Sequence, residues 1–289
     1  MIIVTGATGQ LGRLVVQQLL TRVPAEEVGV SVRDPDKARD LEQRGVRARR
    51  GDFADAASMA SALEGATKVL IVSAGSTGDT AVAQHRTAIS AAVSAGAQRV
   101  VYTSQMGSSP TSAFAPMPDH AATEAILAEC GTAFTSLRNG FYASSGAMLL
   151  TRSGALQTGR LAVPEDGPVA WTTHADLAEA AAIALTEDAL DGITAVLTAT
   201  ETVDMTGMAA IASELTGRQI TRVVVSDDEY RAGMVDHGVP AEAADLLVGL
   251  FTAARRGDFT ATDPTLQRLL GRSPAPIRDT LAAEVRMAA

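Results

Sequence analysis

A chain of 289 residues is long enough to bury a large core and fits one main domain with a smaller appendage. With 24 Lys and Arg against 33 Asp and Glu the formal charge is −9, and no long basic run is present, so a general nucleic-acid surface is disfavoured. No apolar stretch reaches the ~18 residues of a membrane span and no leader with a cleavage site opens the chain, which sets the expectation of a soluble, cytoplasmic protein with no membrane partner. A single cysteine, Cys130, and four scattered histidines offer no metal-ligand spacing, so no metal is expected.

The chain opens with Ile2-Ile3-Val4, a β-branched run suited to a strand buried on both faces. It flows into Gly6-Ala7-Thr8-Gly9-Gln10-Leu11-Gly12, after which helical spacing begins. Glycines between strand and helix describe a nucleotide-phosphate turn: Gly6 for a backbone angle closed to other residues, Gly9 for close approach of a pyrophosphate, Gly12 for helix-on-strand packing. Thr8, Gln10 and Leu11 complete that turn, and the helix start offers unpaired N–H groups to the phosphates.

Further strands are predicted at 28–32, 46–50, 68–72, 99–103 and 134–137, with helices at 57–63, 80–95 and 119–129. This alternation specifies an α/β fold, a Rossmann-type doubly wound parallel sheet with its ligand edge at the strand C-termini. After Arg138 glycines and prolines loosen the pattern, a helix at 174–187 and a strand at 194–198 return to the sheet, and the remainder is mostly helical around a strand at 220–225. The expected division is a nucleotide-binding domain of 1–140 plus about 172–199, and a smaller, mostly helical substrate lobe of about 141–171 plus 200–289.

Past the second strand stands Arg33, whose planar guanidinium suits a 2′-phosphate, with Lys37 as a second cation and Asp34 as a helix cap. That charge pattern favours NADPH over NADH. Ser73-Ala74-Gly75 offers small side chains where a cofactor backbone passes, and Thr103-Ser104 closes the fifth strand at the edge where chemistry belongs.

The T-G-A-T-G-Q-L-G opening resembles the extended and atypical short-chain dehydrogenase/reductases. His120-x-x-Thr123-Glu124 and Leu137-Arg138-Asn139-x-x-Tyr142 narrow the resemblance to the NmrA-like group, which includes bacterial NADPH:quinone oxidoreductases and triphenylmethane reductases. The likeness extends over essentially the whole chain. It implies that Asp52, beside Phe53, recognises adenine, against the alternative of a loop-capping aspartate. It also exposes a departure, because His120 and Glu124 occupy the spacing of the superfamily's Tyr-x-x-x-Lys pair.

A quinone makes sense of the missing phenol, since its hydroquinone anion is far less basic than an alkoxide and positioning supplies most of the catalysis. Asn139, Phe141 and Tyr142 are the expected floor of the site, an amide for an oxygen and rings for a flat acceptor, with strand-end packing as the alternative. His120 is either a proton source titrating near neutrality or a brace paired with Glu124. The small-molecule partner is thus a quinone or similar conjugated acceptor, in a monomer or homodimer. Two other functions stay open: NADPH-dependent reduction of a dye, imine or ketone, and a non-catalytic NAD(P)-binding redox sensor acting through a protein partner.

Overall fold

The computed structural model describes residues 1–288. The chain runs β1 (Ile2–Thr5), α1 (Gln10–Leu19), β2 (Val28–Val32), α2 (Arg39–Glu42), β3 (Arg47–Arg50), α3 (Ala56–Ala62), β4 (Lys68–Ile71), α4 (Asp79–Ser94), β5 (Arg99–Gln105), α5 (Pro116–Ala128) and β6 (Ala133–Asn139). There follow β7 (Phe141–Tyr142), α6 (Ala143–Arg152), α7 (Ala155–Thr158), β8 (Arg160–Val163), β9 (Trp171–Thr172), α8 (His174–Thr186) and β10 (Gly192–Ile193). The last stretch holds α9 (Met205–Thr216), β11 (Thr221–Val224), α10 (Asp227–Asp236), α11 (Ala241–Arg255), α12 (Thr265–Leu270) and α13 (Ile277–Ala288).

Two compact units emerge. The first comprises Met1–Pro110, Pro118–Asn139 and His174–Ala195. Its sheet has seven strands in the order β10-β6-β5-β4-β1-β2-β3, every pairing parallel. The order reverses between β4 and β1, and such a switch point opens a crevice beyond the strand C-termini. β1 is buried throughout, as its β-branched run requires of a strand covered on both faces. On one face Met59, Leu63, Ile89 and Ala92 pack against Ile3, Val69 and Val100. Elsewhere in the unit α1 packs on α8, whose buried alanines at 178, 180, 181, 182 and 184 let the backbones approach. The edge strand β3 carries Arg47 and Arg49, which donate to the carbonyls of Ala62, Glu64 and Ser61 at the end of α3. Charged edges of this kind also resist pairing with another chain.

The second unit comprises Thr111–Met117, Gly140–Thr173 and Val196–Ala289. Besides its helices it contains two small parallel pairs, β7 with β9 and β8 with β11. Phe141 is its packing centre, with ring centroids 5.0 Å from Phe259, 5.4 Å from Trp171 and 5.7 Å from Phe114. Residues 111–117, within the span expected for the first domain, group with this unit. The strand expected at 194–198 is a correction. Pairing stops at Ile193, because the Thr194 hydroxyl turns to accept the Arg138 N–H at 3.1 Å in place of a ladder bond. Asp34 caps the segment after Pro35 as expected, accepting the Asp36 N–H at 3.2 Å, but that segment is a 3-10 turn.

Gly12 is where helix and turn meet most closely. A Cβ there would lie 2.4 Å from the Gly6 carbonyl oxygen and 2.9 Å from its carbon, both backbone atoms. We expect Gly12→Ala to lower stability by about 1–3 kcal/mol in urea unfolding, the usual penalty of overpacking. Unchanged stability would show that the turn yields.

Candidate functional site

A cleft of about 670 Å³ opens in the first unit along the carboxyl ends of β1, β2, β3 and β4. Of the residues singled out from the sequence it is lined by Gly6, Thr8, Gly9, Arg33, Asp52, Phe53, Ser73, Ala74 and Gly75. Gly6 holds a φ of +61°, open to glycine at little cost, and its carbonyl accepts the Gly9 N–H at 2.9 Å. Gly9 is the N-cap of α1 and supplies no side-chain cap. The first-turn N–H groups of Gln10 and Leu11 therefore remain for an anion, while the Leu11 side chain is buried in the core. Such a donor set, beside a floor of glycine and alanine, fits the pyrophosphate of a dinucleotide.

Arg33 is exposed, lines the cleft, and makes no ion pair among the described residues. Lys37 lies outside the lining, with its Nζ 4.0 Å from Asp34. Asp52 spends Oδ1 on the Ala54 N–H at 3.0 Å, a loop-capping bond, while the residue still lines the cleft.

The loop leaving β4 is held at three consecutive N–H groups. Val72 donates to Thr5 Oγ1 at 3.0 Å, Ser73 to Thr103 Oγ1 at 2.9 Å, and Ala74 to Nε2 of His85 at 2.8 Å. Thr103 thus acts by holding the loop and does not line the cleft itself. Ser76 and Gln84, which the sequence reading passed over, also line it and are joined by a 2.7 Å hydrogen bond. Their only signal was position, one just past the glycine loop and one a turn into the following helix.

Ser104 belongs to a different network. Its hydroxyl donates to Glu124 at 2.8 Å, and Glu124 also accepts from Ser136, Ser108 and both Nε and Nη2 of Arg138. Burial alone would raise the Glu124 pKa, but these donors more than offset it and hold the group an anion; the Arg138 pKa rises in turn. The expected His120–Glu124 brace is therefore a correction, because His120 bonds to the Tyr102 hydroxyl at 2.8 Å. Burial and neighbouring His85 push the His120 pKa down to about 4, so the expectation of titration near neutrality is also revised.

Asn139 ends β6, is buried, and leaves Oδ1 without a hydrogen-bond partner. Phe141 and Tyr142 belong to the second unit, Phe141 enclosed in the aromatic cluster and Tyr142 half-buried at the start of α6. Among the described residues no group of three or more His, Cys, Asp or Glu is placed to hold a metal ion, and no helix is long and apolar enough to cross a membrane.

Residues 6–182 match the model of a family described as NAD(P)H-binding. Quinone oxidoreductase 2 of Escherichia coli (strain K12) is 34% identical over 283 residues, covering 98% of each chain. The crystal structure of an Escherichia coli NADPH-dependent quinone oxidoreductase complexed with NADPH superposes with a TM-score of 0.91 at 34% identity, covering 98% of this chain and 99% of that one. Triphenylmethane reductase of Citrobacter sp., complexed with NADP(H), gives a TM-score of 0.91 at 32% identity over 98% of this chain and 100% of that one.

Buried, neutral His85 makes stability pH-dependent. Unfolded, a histidine takes up its proton near pH 6.5, whereas burial pushes the folded value to about 4. The unfolded state therefore binds more protons between these values, so the contribution is complete above pH 6.5 and is lost as pH falls toward 4. Urea unfolding should show a loss of about 2 kcal/mol from this group between pH 7 and pH 5. His85→Gln should lack that share of the decline, and an equal decline in the variant would overturn the assignment.

Proposed function

The chain belongs to the family of NAD(P)H-binding proteins and is an NAD(P)H-dependent oxidoreductase, and we propose that it passes hydride from NADPH to a quinone or a similarly flat, conjugated acceptor. One observation carries the choice of acceptor. On α5 the carboxylate is committed to Arg138 and three serines, and the imidazole to a buried phenol, so this helix does not carry the exposed phenol with a cation beside it that would protonate a strongly basic alkoxide. A quinone does not require one, because its reduced oxygen is a weak base. The quinone oxidoreductase relative supports the same reading.

When bound, the dihydronicotinamide supplies the hydride. The residues of the chain bind and orient. The turn from Gly6 to Gly12 and the first-turn N–H groups of α1 hold the pyrophosphate, Arg33 the 2′-phosphate, and Asp52 the adenine edge through its second oxygen. Val72 to Gly75, tied down by Thr5, Thr103 and His85, gives the cofactor a fixed wall and so reduces the ordering cost of binding. Asn139 is assigned to an N–H or O–H of the bound molecules, which its unpaired Oδ1 can accept, and Tyr142 to the acceptor.

NADPH oxidation, followed by absorbance against benzoquinone, a naphthoquinone, a triphenylmethane dye and a simple ketone, tests the acceptor. Quinone-dependent turnover well above the protein-free rate is expected. Turnover with the dye or ketone alone would replace the quinone, and tight NADPH binding with no turnover would make the chain a cofactor sensor. In a binding titration Arg33→Ala should weaken NADPH by about 1–3 kcal/mol and spare NADH. Equal loss for both cofactors would remove Arg33 from the 2′-phosphate.

A further inference from the structure

His85, Tyr102 and His120 come from α4, β5 and α5, and their hydrogen bonds form a directed series that starts on the wall of the cleft. A backbone N–H can only donate, and that of Ala74 meets Nε2 of His85 at 2.8 Å. This nitrogen must present a lone pair, so the proton of the neutral ring sits on Nδ1. From there it is given to Thr123 Oγ1 at 2.8 Å, while the Thr123 hydroxyl donates onward to the Asp119 carbonyl at 2.7 Å. The same Nδ1 lies 3.5 Å from the Tyr102 oxygen, so the phenol meets an N–H on that side and not a lone pair. Its 2.8 Å hydrogen bond to Nδ1 of His120 is then read with the phenol as donor and the imidazole as acceptor. His120 is left with its lone pair used on Nδ1 and its N–H on Nε2, where it makes no hydrogen bond among the described residues.

We propose that His120 serves as a neutral hydrogen-bond donor, through Nε2–H, to the acceptor's carbonyl oxygen, and that His85 and Tyr102 are positioning residues that fix this tautomer from the cofactor loop. The inference rests on reading the chain as an acceptor reductase. The hydride's hydrogen and its two electrons are taken up by the quinone, giving the hydroquinone monoanion, whose charge settles on the acceptor oxygen that faces His120. The Nε2–H stabilises that charge without giving up its hydrogen, and water supplies the proton that completes the hydroquinone. A neutral imidazole suits this task because its N–H, far less acidic than that of an imidazolium, can polarise the oxygen through a hydrogen bond and keep its own hydrogen. Of the groups facing His120, His85 from α4 disfavours its charged form and the Glu124 anion, one turn along α5 and paired with Arg138, favours it, but burial outweighs Glu124. Depression of the His120 pKa to about 4 keeps the ring uncharged at pH 7.

Side-chain ¹⁵N NMR of the histidine-labelled full chain at pH 7 reads the tautomers of all four histidines without any cofactor or turnover. Assignment comes from His85→Gln and His120→Gln. The expected spectrum has His85 protonated on Nδ1 and His120 on Nε2, with Tyr102→Phe moving His120 toward a mixture and leaving His85 as it was. His120 protonated on Nδ1, or doubly protonated, would overturn the proposal. In steady-state assays with a quinone His120→Ala should lower kcat about tenfold to a hundredfold at unchanged NADPH affinity. His120→Gln, which keeps an oxygen for Tyr102 and an outward N–H, should restore most of that loss; a glutamine variant as slow as the alanine variant would mean that the ring's proton chemistry is required and would overturn the neutral-donor role. Wild-type protein that turns over no quinone defeats the acceptor-reductase reading itself, whereas active wild type and equally active His120→Ala defeats this inference alone.

Discussion

A loop that offers its backbone to a ligand cannot also spend that backbone on a helix or sheet, yet every buried N–H must find an acceptor. The segment leaving β4 meets this constraint with three side chains from three elements, Thr5 on β1, Thr103 on β5 and His85 on α4. Much of the first unit's polar interior follows. Threonines stand buried in central strands where apolar residues would otherwise be expected, and an imidazole that burial keeps neutral has a lone pair left to accept from Ala74. Holding the loop in this way costs little on cofactor binding, since its conformation is set beforehand.

The glycine turn, the parallel sheet and the place of Arg33 on the cleft were legible in the sequence because their signals are local. A strand, a spaced set of glycines and a helix lie within a dozen residues, and a cation directly after a strand keeps its meaning wherever the strand sits. Tyr102 and His85 were not legible as partners. One reads as an apolar position in a strand and the other as a polar position in a helix, and only the packing of α4 and α5 on β5 brings them together. The placement of Lys37 was not legible either, since one turn of the chain sets it beside Asp34 and outside the cleft lining. The short β8 went unread because four residues between Gly159 and Pro164 carry too little periodicity to stand out.

The second unit follows a different logic. Aromatic residues are scarce in this chain, and four of them, Phe114, Phe141, Trp171 and Phe259, make one cluster. Edge-to-face packing at centroid distances of 5.0 to 6.1 Å gives a mostly helical unit a stiff centre. The Trp171 indole N–H is satisfied by the Val203 carbonyl at 2.8 Å, so the cluster buries no orphan donor from that ring. Phe141 thus reads as structure first, and Tyr142, beside it in the chain, is the half-buried ring.

The ring of donors around Glu124 has an evolutionary consequence. One buried carboxylate serves Ser104, Ser108, Ser136 and both arms of Arg138, so the short motif on α5 and the one at the end of β6 are two halves of a single object. Losing the carboxylate alone strands a guanidinium and three hydroxyls; losing the guanidinium alone strands a buried anion. Neither half can drift independently. Lineages should keep both motifs or exchange both, and a chain carrying only one would mark a protein whose ancestor had passed through a less stable intermediate.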